Sequence, residues 1–277
     1  MKKILKYFGY LLLSGSLVIS LYLANLFLMK PYSIDHYLAK ELVMSLLESP
    51  EFMTYVGIFD PFNVILKHNQ KLTIDSLEDG EEDYQDNLKH LAMLQKYNPS
   101  DLSEVQKVTQ KIAIYDTENS IDRFENFRFH SYPFNQISGN HLGLVEFMTD
   151  THPIRSYREA TDYIKRVRLF DDSLKSDLIW LEEQKKLGIF APKFVFDHVI
   201  RQLKELIAYT DDNNPLMQVF KSKVNALNIS TEKKETLFRE LGLVIQSDVK
   251  PGYQSILQFM ENNYDQANKH HGVWSLP

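Results

Sequence analysis

The helical character of the chain is clearest at residues 156–169, which read SYREATDYIKRVRL. Ser156 and Glu159 form a capping box, in which each side chain satisfies a free backbone amide at the start of a helix. After them, apolar side chains recur every three or four positions, as on the buried face of an amphipathic helix. These side chains are Tyr157, Ala160, Tyr163, Ile164, Val167 and Leu169. The stretch therefore predicts a helix with one side packed inside the protein.

Similar signals recur through residues 31–277 and predict an all-α fold. No segment alternates between apolar and polar residues as a half-buried strand does. We expect an irregular array of helices, with irregular loops at residues 57–75 and 130–141. Capping residues and prolines mark further helix starts at Ser33, Asp35, Ser100, Pro192, Asn214-Pro215, Ser230 and Pro251-Gly252.

The composition is that of a folded protein with an acidic body. The 277 residues are 44% hydrophobic and 25% charged, close to the values of globular domains. There is no cysteine, which excludes disulfides, thiol catalysis and cysteine-ligated metals. The net charge of -6 argues against a dedicated nucleic-acid-binding protein. Residues 1–30 hold four lysines and no acid, which leaves 27 basic and 37 acidic residues in residues 31–277.

Residues 1–30 have the pattern of a membrane signal-anchor. Three N-terminal lysines precede an uncharged run at residues 7–29, which Lys30 ends. As a helix this run is about 34 Å long, enough for a hydrocarbon core of about 30 Å. We therefore predict one transmembrane helix that contacts membrane lipid through residues 7–29.

The charge distribution also predicts the topology. The positive-inside rule keeps the N-terminal lysines in the cytoplasm, so the helical domain at residues 31–277 lies outside the cytoplasmic (inner) membrane. The alternative is a cleaved signal peptide, for which Ala24 is the best cleavage position. Because the apolar run resumes at Leu26, the retained anchor is favoured. Asn25 is the least favourable residue of the run.

The sequence contains none of the common catalytic or phosphate-binding motifs. HExxH, GxSxG, GxxxxGK[ST] and GxGxxG are all missing. None of the nine histidines has another histidine three or four positions away. Adjacent helical residues point about 100° apart, so we interpret His270-His271 as a solvated helix end, and His198 as a core histidine. We predict no catalytic residue, metal ligand or cofactor in this chain.

One loop differs from ordinary helix. Residues 129–139, FHSYPFNQISG, mix aromatic rings with amide side chains and end in a glycine. Such a loop either bonds to its own backbone through Asn135 and Gln136 or presents these amides to a ligand. The chain also ends in an apolar segment, GVWSLP at residues 272–277, which should dock on another surface.

Several segments together resemble the bacterial domain of unknown function 885 family, over roughly residues 40–277. The resemblance lies in their order and spacing. The segments are residues 55–58 (YVGI), 132–139 (YPFNQISG), 152–154 (HPI) followed by Ala160, Tyr163, Ile164 and Arg166, then 188–194 (GIFAPKF), 249–253 (VKPGY) and 272–277 (GVWSLP). Gly252 departs from the alanine that is usual in the family.

The resemblance implies more than the residues do alone. Members of the family are mostly helical, exported or lipid-anchored, and about twice this length. They look like zinc metallopeptidases, with an HExxH-type motif in the C-terminal half. The chain would then be the non-catalytic N-terminal half, an incomplete domain that is inactive alone. Zinc is expected only if a C-terminal catalytic half is supplied, and Phe259, Trp274 and Leu276 would be exposed without it.

Two functions stay open at this point. The chain is either a truncated or split part of a membrane-anchored zinc-metallopeptidase-like protein, which we favour, or a free-standing helical module that binds a peptide or protein outside the cytoplasmic membrane. The predicted substrate-binding residues are Tyr132, Asn135, Gln136 and Tyr253, which would line the face that a following half covers.

Overall fold

The computed structural model describes residues 2–270 and 272–277. These residues are largely helical and contain no β-strand, only an isolated parallel bridge between Pro192 and Asn268. The all-α prediction is confirmed. The helices are α1 (Lys2–Leu28), α2 (Ile34–Glu48), α3 (Pro50–Val56), α4 (Asn63–Leu66), α5 (Leu77–Leu94), α6 (Glu104–Phe127), α7 (Asn140–Glu146), α8 (Tyr157–Arg168), α9 (Phe170–Lys186), α10 (Lys193–Ala208), α11 (Pro215–Asn225), α12 (Thr231–Val244) and α13 (Lys250–Asn262).

The chain divides into two compact units. The first, which we call the anchor unit, consists of Met1–Glu48 and Glu81–Asn126. The second, the core unit, consists of Ser49–Gly80 and Phe127–Pro277. The predicted boundary between a membrane anchor (residues 1–30) and an extracytoplasmic domain (residues 31–277) stays a prediction.

Helix α1 is long and apolar enough to cross a membrane. Its stretch Gly9–Leu28 contains 20 residues, and only 6% of it is buried within the protein. The buried amide of Asn25 marks its end: Nδ2 donates to the Lys30 carbonyl (2.9 Å) and Oδ1 accepts from the Tyr32 amide (3.0 Å). The least favourable residue of the apolar run thus shapes the turn into α2.

The anchor unit has a small core around two tyrosines. Tyr37 of α2 contacts His90 Nδ1 through its hydroxyl at 2.6 Å. Tyr97, after α5, donates its hydroxyl to the Pro31 carbonyl at 2.9 Å. Ile34 and Leu94 complete this core. The end of α5 is therefore attached to the turn between α1 and α2.

The core unit contains the larger hydrophobic core, built mainly from α7 to α13. Helix α8 has the predicted cap, since Ser156 Oγ accepts from the Glu159 amide at 3.2 Å. Glu159 reaches one residue further back than expected, to the Arg155 amide. Tyr157 is 43% exposed, contrary to the predicted stripe, because it stands in the first turn. The predicted core positions Ala160, Tyr163, Ile164 and Val167 are fully or nearly fully buried. Leu169, at the C-terminal cap of α8, is only half-buried.

Helices α12 and α13 are joined through a π-helical segment, Ile245–Val249, and not through a loop. Pro251 lacks an amide hydrogen and cannot make the α-helical bond to residue 247. A wider turn accommodates such an interruption without ending the helix. A Cβ on Gly252 would lie 2.8 Å from Leu174 Cδ1, so the glycine permits close packing of α13 on α9.

The expectation for the exposed C-terminal side chains is only partly met. Phe259 is buried in α13, with 6% of its surface exposed, so this expectation was wrong. It faces the core formed with α9 and α10, the two helices against which α13 packs. Trp274 is 77% exposed, as expected, and Leu276 is half-buried.

The histidine interpretations have different outcomes. His198 is exposed, contrary to the prediction, because the buried face of α10 is centred on Val195, Val199 and Leu203. His271 lies outside the described residues, so the interpretation of the histidine pair stays a prediction.

Candidate functional site

A cavity of ≈ 580 Å³ lies in the core unit, between the two loops predicted to be irregular. We call residues 130–139 the aromatic loop and residues 57–75 the N-terminal loop. Helices α3, α7 and α9 complete the walls. The polar lining residues are Glu51, Thr73, Asp75, Tyr132, Asn135, Ser138, Asn140, Ser173, Ser176 and Asp177.

The aromatic loop is folded by its own amide side chain. Asn135 Oδ1 accepts hydrogen bonds from the amides of Ile137 (3.0 Å) and Ser138 (2.8 Å). Asparagine commonly closes a turn in this way. The Asn140 amide, at the start of α7, donates to the Pro133 carbonyl at 2.9 Å. The loop therefore has a defined shape at the cavity.

Two glutamines from neighbouring helices hold the same loop from behind. Gln184 of α9 is buried, and its Nε2 donates to the carbonyls of Phe129 (2.6 Å) and Ser131 (2.8 Å). Gln202 of α10 donates to the Gln136 carbonyl at 3.1 Å. Because loop carbonyls accept from the buried amide of Gln184 and the half-buried amide of Gln202, moving the loop would leave these polar groups unpaired.

The N-terminal loop is held by Arg166 of α8, whose side chain is fully buried. Its Nε donates to the Lys71 carbonyl at 2.5 Å, and its Nη2 donates to the His68 carbonyl. Nη2 also donates to Thr54 Oγ1 of α3 at 3.0 Å, and Nη1 lies 3.1 Å from His152 Nδ1. Arg166 therefore holds the loop directly before the segment at residues 72–75 that reaches the cavity.

The Arg166 cluster is a positive charge surrounded by neutral acceptors. Burial lowers the pKa of Arg166 to about 10, against the opposing effect of Glu51 and Asp162, so the guanidinium stays charged at neutral pH. Burial, together with the nearby Arg166 charge, lowers the pKa of His152 well below its ordinary value. A neutral His152 can accept the hydrogen bond from Arg166. The cluster is suited to holding the loops and not to chemistry on a ligand.

Asp177 is the cavity carboxylate with the most perturbed environment. Its Oδ2 accepts from Asn140 Nδ2 at 2.5 Å, and the same amide donates to Ser173 Oγ at 3.2 Å. Burial raises the pKa of Asp177 to about 6, with a further contribution from Asp75, although the hydrogen bond from Asn140 opposes the shift. Asp177 is therefore mostly ionised at pH 7 and mostly neutral at pH 5.

The rest of the lining is also rich in acceptors. Glu51 of α3 accepts from both the amide and the hydroxyl of Thr73, each at 2.6 Å. Leu144 and Phe147 add apolar surface. None of the described lining residues is lysine, arginine or histidine. Ionised carboxylates only accept hydrogen bonds, so the cavity suits a ligand with N–H donors or positive charge.

The four predicted site residues are not all at the cavity. Tyr132 and Asn135 line it. The backbone carbonyl of Gln136 is used by Gln202, and its side chain is not part of the lining. Tyr253 is fully buried in α13, where its hydroxyl donates to a backbone carbonyl at 3.0 Å. Whether any of the four binds a substrate stays a prediction.

Sequence reasoning missed Glu51, Asn140 and Asp177. Each stands at or within a helix whose local sequence is ordinary, so no motif distinguishes it. Arg166 was noted only as part of the family-like segment; an arginine at a position of the buried α8 stripe was the signal that could have revealed the cluster.

The described residues do not fit a catalytic zinc site. Among them no group of three or more histidine, aspartate and glutamate side chains could hold a metal ion, whereas such a site uses about three protein ligands. The chemistry available in the cavity is that of its hydrogen-bonding and charged side chains.

Comparison with solved structures shows a similar fold. A protein from Colwellia psychrerythraea, whose crystal structure is described as that of a "putative lipoprotein", superposes with a TM-score of 0.70 at 19% sequence identity. The match covers 86% of this chain and 43% of that one, so the chain spans less than half of that protein's length. No curated protein matches the chain.

A family model supplies the assignment. It describes a bacterial protein of unknown function (DUF885) and matches residues 50–273, a range that includes both loops, the cavity walls and Arg166. The chain therefore belongs to the DUF885 family of bacterial proteins.

Proposed function

We propose that this chain is the non-catalytic, N-terminal part of a membrane-anchored, zinc-metallopeptidase-like protein, in which the cavity holds a peptide segment of the substrate. Alone it has no peptidase activity. Family membership, the apolar helix α1 and the 43% coverage of the Colwellia psychrerythraea protein support this proposal. A zinc-binding half would be the partner that supplies catalysis.

The acceptor-rich lining of the cavity is the observation that carries the proposal. Glu51, Asn140 and Asp177 come from three different helices and meet at one cavity. Peptides offer matching donors in their backbone amides, their free N-terminus and their basic side chains. The volume of ≈ 580 Å³ lies within the range of about 300–1,000 Å³ that is usual for ligand sites.

The predicted site residues take separate roles in this proposal. Tyr132 and Asn135 contact the peptide, because they belong to the wall. Gln136 acts through the shape of the aromatic loop, and Tyr253 through the packing beneath it. The substrate is extracytoplasmic, because we place the body of the chain outside the cytoplasmic membrane, with α1 as a single span.

A free-standing helical module that binds peptides or proteins is the second candidate, and the same cavity supports it. The two candidates differ in whether a catalytic half exists. The first candidate is favoured if a histidine–glutamate zinc motif is encoded in the same reading frame as this chain or in a neighbouring one. Under both, elemental analysis of the purified chain should find no stoichiometric zinc.

Peptide binding tests the use of the cavity. We would titrate the full chain, in a neutral detergent, into a fluorescent tetrapeptide with a free N-terminus and one lysine, and measure anisotropy. Asp177→Asn should weaken binding about tenfold, as expected when a charge-assisted hydrogen bond is lost. Wild-type binding should also weaken as the pH falls through about 6, because protonation removes the charge of Asp177.

Two controls separate the cavity from general electrostatics. Asp172→Asn removes an exposed carboxylate of the same helix outside the cavity and should bind like wild type. The same peptide with glutamate in place of lysine should bind more weakly. Equal affinities for both peptides, or wild-type affinity and pH dependence in Asp177→Asn, would count against the proposal.

A further inference from the structure

A second cavity lies in the anchor unit, between the end of α5 and the start of α6. This open groove also has a volume of ≈ 580 Å³, and we call it the lysine groove. Its walls include Tyr97, Pro99, Ser100, Lys107, Gln110 and Lys111. Gln110 is buried and donates to the carbonyls of Leu94 and Tyr97, both at 2.8 Å, which fixes the shape of the groove.

The lysine groove adjoins the end of the apolar helix α1. Tyr97, one of its walls, donates its hydroxyl to the Pro31 carbonyl at 2.9 Å. Lys30 Nζ lies 4.5 Å from the centre of the Tyr97 ring and donates to the Lys96 carbonyl at 2.9 Å. If α1 spans the membrane, the groove therefore lies where the chain leaves the hydrocarbon core. Tyrosine and lysine are common at this depth.

The charge of the groove is positive. Lys111 has no ion-pair or hydrogen-bond partner among the described residues. Lys107 pairs with Glu104 at 2.7 Å, and the nearby Asp101 accepts from the Ser100 hydroxyl at 3.0 Å. None of the described wall residues is acidic. The groove can thus present one free ammonium group and share a second with Glu104.

The surface next to the groove is apolar. Val105 and Val108 lie in the first turns of α6 and are 76% and 57% exposed. Gln106, between them, donates to Asp35 at 2.7 Å, which places these turns beside the start of α2. Exposed valines beside the end of α1 suit a surface that contacts acyl chains.

We propose that the lysine groove binds the phosphate headgroup of an anionic phospholipid in the outer leaflet of the cytoplasmic membrane. The inference rests on the membrane insertion of α1 in the proposed function. Lys107 and Lys111 contact the phosphate, and the bound lipid holds the anchor unit against the membrane surface. The complementary charge and the continuity with α1 favour a lipid over a soluble phosphate compound.

Native mass spectrometry of the full chain in a neutral detergent tests this site. The probes are dioctanoyl phosphatidylglycerol, dioctanoyl phosphatidylcholine and inorganic phosphate, each titrated to obtain a Kd. The wild type should prefer phosphatidylglycerol. Replacing both lysines (Lys107→Gln with Lys111→Gln) should weaken its binding by about tenfold or more, because two ammonium groups that attract the anionic headgroup are lost.

Variants of matched charge complete the test. Lys89→Gln with Arg123→Gln removes two exposed charges of the same unit outside the groove and should bind like wild type. Lys107→Arg with Lys111→Arg should retain binding. Glu104→Gln frees Lys107 and should tighten binding about twofold or more.

The outcomes against the proposal are specific. Equal binding of both lipids, binding of inorganic phosphate alone, or full binding by the glutamine double variant would each overturn it. The glutamine double variant should retain wild-type peptide binding and resistance to carbonate extraction. If the wild-type chain itself fails to bind the peptide or is extracted by carbonate, the proposed function is contradicted. The lipid titrations in detergent would still test whether the lysine groove binds an anionic lipid.

Discussion

Arg166 carries its charge in the interior of the core unit, with no carboxylate within 4 Å of it among the described residues. Its hydrogen bonds go to backbone carbonyls, to Thr54 and to His152. Burying a charge is costly unless hydrogen bonds replace its hydration. In exchange for this cost, the Arg166 side chain fixes the relative positions of α3, the N-terminal loop and α8 behind the cavity wall.

Replacing this side chain should be severe. In Arg166→Met, the Lys71 carbonyl and His152 Nδ1 lose their hydrogen-bond donor, and each unsatisfied buried group costs about 1–3 kcal/mol. We expect a loss of more than about 3 kcal/mol in the free energy of unfolding, measured by urea titration with tryptophan fluorescence. Peptide binding should fall with it.

Arg168→Met is the matched control, since Arg168 is exposed at the end of the same helix. It should change the free energy of unfolding by less than about 0.5 kcal/mol. A loss below about 1 kcal/mol in Arg166→Met would show that the buried cluster does not hold the loops.

At the scale of the elements, helix starts follow short local signals. Asn214 accepts from the Leu216 amide at the start of α11, and Ser230 accepts from the Lys233 amide at the start of α12. Ser156 does the same at α8. These caps act between residues two or three positions apart, so they can be read without knowledge of the tertiary fold.

The cap of α8 provides a test at this scale. Ser156→Ala leaves the Glu159 amide without its acceptor and should lower the free energy of unfolding by about 1 kcal/mol. Thr161→Ala is the control, because the Thr161 hydroxyl donates to the Tyr157 carbonyl, which the helix already uses. Urea titrations of both variants decide the point, and equal stabilities would contradict a capping role for Ser156.

At the scale of the whole molecule, α1 differs from the other helices in what surrounds it. Its apolar side chains are exposed, among them Leu13, Leu17 and Leu21 at 61% or more. Burial of a leucine is worth about 1.5–3 kcal/mol. Burial of these side chains in lipid would therefore stabilise α1 more than its few contacts with the rest of the chain do.

Membrane fractionation tests this conclusion. The expressed chain should stay in the membrane after carbonate and high-salt washes, because apolar burial and not charge holds it. Protease added to spheroplasts should digest the body. Soluble protein that begins near Asn25 would show instead that the segment is a cleaved signal peptide.

The sequence by itself determined the helical class, several helix starts and the apolar segment. It also located the loop at residues 130–139, whereas residues 57–75, predicted to be an irregular loop, contain helix α4 and two 3-10 helices. The family resemblance was confirmed over residues 50–273. All of these depend on residues close together in the chain, through caps, through the helical period or through the length of an apolar run. Asn25 could be recognised as unusual for the same reason.

Only the tertiary structure decided which side chains form the cavity. Glu51 and Asp177 are far apart in the chain, yet they line the same cavity. Arg166 and Gln184 hold the two loops that form other parts of its wall. Tyr253 belonged to a family-like segment, yet packing directs it into the core. Whether a side chain points into the core or into the cavity depends on which other elements pack against that face of its helix. The spacing of residues along the chain does not show which elements these are.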